Sequence, residues 1–385
     1  MNPQVATQSV QLPLLAAFTR EALLTTGLSS DHARCVTHSL IEAEARGLQS
    51  HGVVRLLPTY IRRLGAGTIK AVPSIRTERR QGMTALIDGD AGPGQVVGTV
   101  AMDLAIEMAR QGGVASVGVR NSSHFGIGAL FVEQATRAGL IGIACSNAPA
   151  NVPPTGGRSR FFGTNPLAIG LPRTGGRGLV LDMSTSVAAR GKIVMAQKEG
   201  RSIPTGWAID ADGQPTVDPA AALAGAVLPM AGHKGYGLSL MIDVLSGVLT
   251  GAASGTDVID LYDTGGSPQN IGHFFIVVSV ESFMPIAVFT DRLEHYLGEI
   301  RSQPRLPGVD RIFLPGDLES DAAEQALTHG VVLSLSGIAE LDGLADHLGI
   351  ERLQDRVQLP VRSGPMIRQS RGGSAERAIR EPWIC

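Results

Sequence analysis

What most limits the folds open to this chain is the order of its apolar runs after residue 121. Four strand-like runs, LIGIACS (140–146), LAIGLPR (167–173), GLVLDMS (178–184) and HFFIVVSV (273–280), are separated by loops such as NAPANVPPTGG, and only two helical stretches, near 187–199 and 234–250, interrupt them. A doubly wound parallel sheet needs a crossover helix after nearly every strand. Strict strand–helix alternation is absent, so the pattern predicts an α/β chain with a mixed, largely antiparallel sheet. The 48 glycines suit the tight turns and close backbone approaches of such a chain.

Helical periodicity dominates the two ends. Residues 10–26 carry apolar positions at helical spacing, and a second helix is predicted from Ser30, with Asp31 in its first turn, to about Arg46. HGVVRLLPTYIRRLGAG reads as a third helix, kinked or started by Pro58 and ended by Gly65 and Gly67. MTALIDGD (83–90) predicts a strand and turn, VVGTVAMDLAIEMARQGG a long helix with Val96, Val100, Leu104 and Met108 on one face, and VASVGVR a short buried strand. After 285 the pattern predicts a helix over 289–300, a strand at RIFLP and two more helices to about 349. The expected organisation is a helical part from residues 1–120, completed by about 311–350, a sheet domain over 121–310, and a flexible tail over 351–385, which beyond 360 holds five arginines against two glutamates.

Thirty-three Lys and Arg against 35 Asp and Glu give a net charge of −2, so no global electrostatic case exists for nucleic acid or an anionic membrane as partner. The most apolar long stretch, GYGLSLMIDVLSGVLTGA (235–252), holds Asp243 and several glycines; it suits a buried helix better than a bilayer span. Cys35, Cys145 and Cys385 are odd in number and far apart, which argues against a disulfide framework or a zinc site. No basic start followed by a long apolar run marks a signal peptide. A reducing, cytoplasmic location is the expectation.

GPGQVVG (92–98) invites a dinucleotide-fingerprint reading, and the spacing refuses it. Three residues, not two, separate the last glycines, Pro93 stiffens the turn, and no acidic residue closes a second strand about 20 residues on. The stretch reads as a turn opening a helix. No P-loop, HExxH or GxSxG motif occurs either.

Several short stretches remain. In SHGVVR, His51 and Arg55 stand at i and i+4, which on a helix shares one face. A guanidinium grips a carboxylate with two hydrogen bonds, and an imidazole moves a proton near neutrality. A satisfied histidine beside a surface arginine would read the same. NSSHFGIG (121–128) sets His124 before a glycine-rich helix start able to hold an anion, or simply to cap the helix. AGHKGYGL (231–238) places Lys234 at another helix start, LDMSTS (180–186) ends a strand in an acid and hydroxyls, and FFGTNP offers Thr164 and Asn165 in a turn. His51, His124 and His233 have no spacing typical of metal ligands, so no metal is expected.

In this order RGLQSHGVVR, DGDAGPGQVVG, VRNSSHFGIG, FFGTNPLAIG, LDMSTSVAARGKI, IPTGWAIDADGQPT, GHKGYGLSLMIDVLSGVLTG and FLPGDLE resemble the malate/L-lactate dehydrogenase family, which lacks the Rossmann fold and includes ureidoglycolate dehydrogenases and piperideine- and pyrroline-2-carboxylate reductases. The likeness spans about residues 12–350. It implies an NAD(P)-dependent oxidoreductase that moves hydride between nicotinamide and C2 of a hydroxy or imino acid. On that pattern Arg55 clamps the substrate carboxylate, and His51, oriented by Ser50, or His124 handles the proton. His124, Phe125, Gly126, Ile127, Gly128, Ser146, Thr164, Asp182, Met183, Ser184, Lys234, Gly316 and Asp317 match cofactor-contact positions. The resemblance also implies a substrate and dimerisation role for the helical part, a homodimer or higher homo-oligomer, and a small carboxylic acid as substrate. Lys192 stands where the imino-acid reductases look to carry an acid, which favours a hydroxy acid of malate or L-lactate type over a cyclic imine. PGDLESDAAEQ lacks arginines for a 2′-phosphate, so NAD is expected, with NADP the alternative. A non-catalytic cofactor-binding homologue is the reading from another class.

Overall fold

The computed structural model describes residues 6–263 and 265–358. Its strands are β1 (Thr7–Val10), β2 (Arg76–Gln81), β3 (Thr84–Asp88), β4 (Val114–Ser122), β5 (Leu140–Ser146), β6 (Leu167–Leu171), β7 (Leu179–Met183), β8 (Ala208–Ile209), β9 (Pro215–Thr216), β10 (Ala226–Val227), β11 (Ile271–Ser279) and β12 (Val331–Ser334). The α-helices are α1 (Leu12–Leu24), α2 (Ser30–Ala45), α3 (Arg62–Gly65), α4 (Gly94–Gly112), α5 (Ala129–Arg137), α6 (Arg190–Lys198), α7 (Pro219–Ala224), α8 (His233–Asp243), α9 (Ile286–Arg301), α10 (Asp317–His329), α11 (Leu335–Leu348) and α12 (Leu353–Gln358).

Seven strands form one sheet in the order β2-β3-β4-β11-β5-β6-β7. Only β3 and β4 run parallel, joined by the crossover helix α4; every other neighbouring pair is antiparallel. The mixed, largely antiparallel sheet expected from the sequence is therefore present, with a single βαβ unit inside it. Helices α4 and α5 cover one face, packing Val97, Ala101, Ala105 and Phe131 against Val117, Val119, Phe275 and Val277.

A second core joins the two chain ends. Leu15, Phe18 and Leu23 of α1, Val36 and Leu40 of α2, and Leu56 and Tyr60 pack with Leu333, Leu341, Leu344 and Leu353. Antiparallel pairing of β1 with β12, from Thr7↔Ser334 to Val10↔Val331, fastens the ends together. Each fully buried Leu or Phe here contributes about 1.5–3 kcal/mol of apolar transfer. Arg46, at the end of α2, bridges the layers: it holds Glu133 of α5 through two nitrogens at 2.7 and 3.0 Å, and Glu42 at 2.8 Å.

Several local expectations are corrected. The third helix is not one helix but 3-10 turns at Gln49–His51 and Val53–Arg55, a π-helical segment at Leu56–Ile61 containing Pro58, and the short α3. On α4 the expected face is partly right: Val96 and Met108 are buried and Leu104 is half-buried, but Val100 is 41% exposed, and Val97, Ala101, Ala105 and Ala109 are buried as well. RIFLP makes no strand: Leu314 donates its N–H to the Asp317 carboxylate at 2.9 Å in a turn ahead of α10. Strand β2, RTERRQ, escapes hydropathy because it is a charged edge strand, a composition that blocks further pairing. The sheet takes in β2–β4 before residue 121, so the division expected at 120 falls inside β4. The tail beyond 358 lies outside the described residues. Among those described, no helix is long and apolar enough to cross a membrane.

Candidate active site

The cluster begins where α2 ends. After Ala45 the chain makes the turn Gln49–His51, is broken at the extended Gly52, and turns again through Val53–Arg55. Beneath the break lies the carboxylate of Glu44, only 4% exposed, accepting the Val53 N–H at 2.8 Å. A methyl on Gly52 would lie 2.0 Å from Glu44 Oε1, so this close approach requires glycine. Burial raises the Glu44 carboxyl to about 7 against the pull of the Val53 hydrogen bond. The result is not the i, i+4 helical face expected for His51 and Arg55. Arg55 instead folds back, donating Nε to the Ser50 carbonyl at 2.7 Å and Nη1 to the Tyr262 hydroxyl at 2.6 Å. Ser50 Oγ lies 3.0 Å from His51 Nδ1. A methyl on Gly191, at the start of α6, would lie 3.1 Å from Ser50 Cβ and 3.8 Å from Arg55 Nη2, so α6 closes over this corner. Lys192, one residue on, is exposed.

His124 arrives from the other layer, on the loop between β4 and α5. Its ring stacks on His51 at 5.7 Å between centroids and 20° between planes. Its Nδ1 lies 2.9 Å from Tyr60 Oη, which in turn accepts from Gln95 Nε2 at 2.5 Å. Gln95 belongs to the GPGQ stretch that failed as a fingerprint. Its neighbour Gly94 seats the loop, donating its N–H to Ser123 Oγ at 3.0 Å. Burial, then the charge of Arg55, brings His51 down to about 4. Burial, then His51, Arg55 and His273, holds His124 well below the ordinary imidazole value. Both rings are neutral at neutral pH, the form that can take a proton from a hydroxyl.

A cavity of about 430 Å³, within the usual range for small-molecule sites, opens between α2, α5 and the start of α10, and neither imidazole nor Arg55 is among its lining residues. Its wall includes Leu48, three residues before His51, and Ala129, five after His124, together with Arg46, Asp182, Gly316 and Asp317. Asp182 accepts the Ala129 N–H at 2.9 Å and so caps α5; burial raises its carboxyl to about 6. Gly316, at φ +86°, lets the start of α10 lie against the Val180 carbonyl. Asp317 ties that turn to Arg301 at 3.0 Å. Carboxylates at both helix starts disfavour phosphate there and suit hydroxyl donors such as a ribose. The cavity's arginines face acids: Arg46 and Arg137 meet Glu133, and Arg173 meets Glu294. Arg177 bonds Ser320 Oγ at 2.8 Å.

The structure thus joins Ser50, His51, Arg55 and His124 in one cluster, and sets Asp182, Gly316 and Asp317 around a cavity that none of those four lines. Other expected contacts turn their side chains elsewhere. Phe125 stacks on His273 in the core at 4.8 Å, and Ile127 is buried. Gly126 and Gly128 are buried against Ser39 and Ala168. Ser146, 2% exposed, spends its hydroxyl on Asn147 and Gly272 carbonyls and His273 Nδ1. Thr164 engages Thr185 through its carbonyl at 2.9 Å, Met183 pairs with Leu167 in the ladder, and Ser184 bonds Ser186. Lys234 is exposed on the first turn of α8, whose start is tied to the end of β7 by Met230 N–H to the Thr185 carbonyl at 2.9 Å. Sequence reasoning missed Tyr60, Gln95 and Tyr262. Each looks like an ordinary helix or loop residue until the tertiary fold sets it beside a histidine or Arg55. Among the described residues no three His, Cys, Asp or Glu side chains group to hold a metal.

Comparison with known proteins places the whole chain, not the site alone, beside a set of dehydrogenases. The family model described as malate/L-lactate dehydrogenase matches residues 10–342. The chain is 38% identical to malate dehydrogenase of Pyrococcus abyssi over 348 residues, covering 88% of this chain and 95% of that protein. It is 39% identical to the NAD(+) ureidoglycolate dehydrogenase of Escherichia coli K12 over 305 residues, covering 79% and 86%. The crystal structure of malate dehydrogenase from Entamoeba histolytica superimposes with a TM-score of 0.85 at 32% identity, covering 90% of this chain and 99% of that one.

Proposed function

The chain belongs to the malate/L-lactate dehydrogenase family, and from that membership we propose an NAD(P)-dependent oxidoreductase that moves hydride between nicotinamide and C2 of a small 2-hydroxy or 2-keto acid. One observation carries the reading. A guanidinium already fixed at two nitrogens stands at one end of a cluster with two stacked neutral imidazoles, linked to them through Ser50.

Arg55 offers Nη2 and its charge to the substrate carboxylate, with the Tyr262 hydroxyl alongside. Ser50 orients His51, and Tyr60 orients His124. One of these imidazoles accepts the C2 hydroxyl proton as C2–H leaves as hydride, and returns it to the oxygen in the reverse direction. A nicotinamide bound here would supply the hydride acceptor, or the donor in the reverse direction. Asp182, Gly316 and Asp317 line the space for the cofactor, and the acid-rich helix starts support NAD over NADP. Ser146, Thr164 and Lys234 remain further candidate contacts at the same end of the sheet. The absence of an acid at Lys192 supports malate or L-lactate over a cyclic imine. Substrate binding and dimerisation fall to the helical part and cofactor binding to the sheet, in a cytoplasmic homodimer.

The test is purified protein with NADH and NADPH against oxaloacetate, pyruvate, oxalurate and piperideine-2-carboxylate, followed at the nicotinamide absorbance. Turnover of a 2-keto acid with NADH is expected. Turnover of the cyclic imine alone would replace the substrate class. NADH binding without turnover of any of the four would mark a non-catalytic homologue.

A further inference from the structure

Behind His124 the Tyr60 hydroxyl leads to a further buried amide, Gln95, that the reaction proposed above does not use. Tyr60 Oη faces His124 Nδ1 on one side and Gln95 Nε2 on the other. Tyr60 is 1% exposed and Gln95 2%, so water does not compete freely for these groups. The amide N–H of Gln95 occupies one lone pair of the phenol oxygen, and His124 Nδ1 at 2.9 Å is the acceptor within reach of the phenol proton. A neutral imidazole that accepts at Nδ1 carries its hydrogen on Nε2. Beyond Gln95 is a separate cavity of about 50 Å³, lined by Cys35, His38, Ser39, Gln95, Thr99 and Gln134 among others. Three buried polar atoms on this wall lack protein partners: Gln95 Oε1, Ser39 Oγ and His38 Nδ1. The wall is otherwise mostly apolar, so these three atoms are the partners that an ordered water would take there.

We propose that Tyr60 and Gln95 are positioning residues that hold His124 as the Nε2–H tautomer, with the outer end of the Gln95 amide completed by ordered water in the cavity it shares with Ser39 and His38. The claim rests on His124 acting in the proposed reaction, and it divides the two histidines. At Nε2, His124 then offers a substrate a hydrogen and not a lone pair. It hydrogen-bonds the C2 oxygen of a keto acid and stabilises the negative charge that grows there as hydride arrives. His51, whose Nδ1 meets only the rotatable Ser50 hydroxyl, is free to take either tautomer and is the imidazole that transfers the proton.

The experiment labels histidine with ¹⁵N in the full chain without substrate, assigns the ring of His124 by its loss in His124→Asn, and reads which nitrogen bears hydrogen at neutral pH. Nε2–H is expected in the wild type. In Tyr60→Phe the signals should move toward a mixture of tautomers, with kcat for keto-acid reduction falling roughly 10-fold, KM for NADH unchanged and the thermal midpoint retained within a few degrees. Gln95→Met, which keeps the bulk and removes the amide, should act in the same direction and stands in if Tyr60→Phe does not fold. Nδ1–H in the wild type, or unaltered ring signals in both variants, overturns the assignment. So does a high-resolution crystal structure showing an empty cavity or the Gln95 amide reversed. The ring spectrum needs no turnover. If no keto acid is reduced, the proposed reaction falls, while the tautomer is still tested on its own.

Discussion

Replacing Arg55 by lysine tests the carboxylate clamp most directly, because charge is kept and geometry is lost. In the structure the guanidinium is held by Nε on the Ser50 carbonyl at 2.7 Å and Nη1 on the Tyr262 hydroxyl at 2.6 Å, leaving Nη2 and the shared face of the fork for an incoming carboxylate. An ammonium is a single point. It cannot hold the Ser50 carbonyl and the Tyr262 hydroxyl while presenting two parallel N–H bonds. Losing one charge-assisted hydrogen bond to the substrate costs about 1.5–3 kcal/mol. At 1.36 kcal/mol per factor of ten this is roughly a 10- to 150-fold loss in kcat/KM. Most of it should appear in KM for the keto acid, since the carboxylate is gripped equally in ground and transition states. Initial rates of NADH oxidation against oxaloacetate and pyruvate give both parameters, and KM for NADH should not move. A keto-acid KM equal to that of the wild type would refute the clamp, whatever happened to kcat.

Three further outcomes follow from the same geometry. Gly52→Ala drives a methyl into Glu44 and strips the buried Val53 N–H of its acceptor, so stability should fall by about 1–3 kcal/mol or more in urea unfolding; an unchanged midpoint would show that the turn relaxes freely. Asp182→Ala removes the cap of α5 and should cost about 1 kcal/mol while raising KM for NADH; a stability loss with no change in that KM would place the cofactor elsewhere. The third concerns pH. Glu44 is raised in the folded chain from 4.5 to about 7, so its favourable contribution is complete below pH 4.5 and is lost as pH rises through 7. Glu44→Gln stays neutral, and its stability relative to wild type should improve between pH 4.5 and 7.5 by on the order of 3 kcal/mol. Parallel stability curves for the two proteins would show that the carboxyl titrates normally.

Much of this was legible from residue order. Runs such as LIGIACS and the pattern at Ser30–Asp31 report strands and a helix start because alternation and capping act over a few residues. The same locality explains the errors. The HGVVRLLP stretch has helical apolar spacing, but the buried Glu44 carboxylate requires a close backbone approach at Gly52 and divides it into separate turns. RIFLP has strand composition, but the Asp317 carboxylate takes the Leu314 N–H and turns the chain. Strand β2 is too charged to announce itself, since an edge strand needs no apolar face.

By itself the sequence determined the mixed sheet, the helical character of both ends, the family and the identity of the histidines and the arginine, all properties written in short windows or ordered motifs. Only the tertiary structure decided which groups those residues meet. Tyr60 reaches His124 across 64 positions and Tyr262 reaches Arg55 across 207. Such contacts form when the layers pack, because burying apolar faces brings distant polar groups together and leaves them few partners but one another.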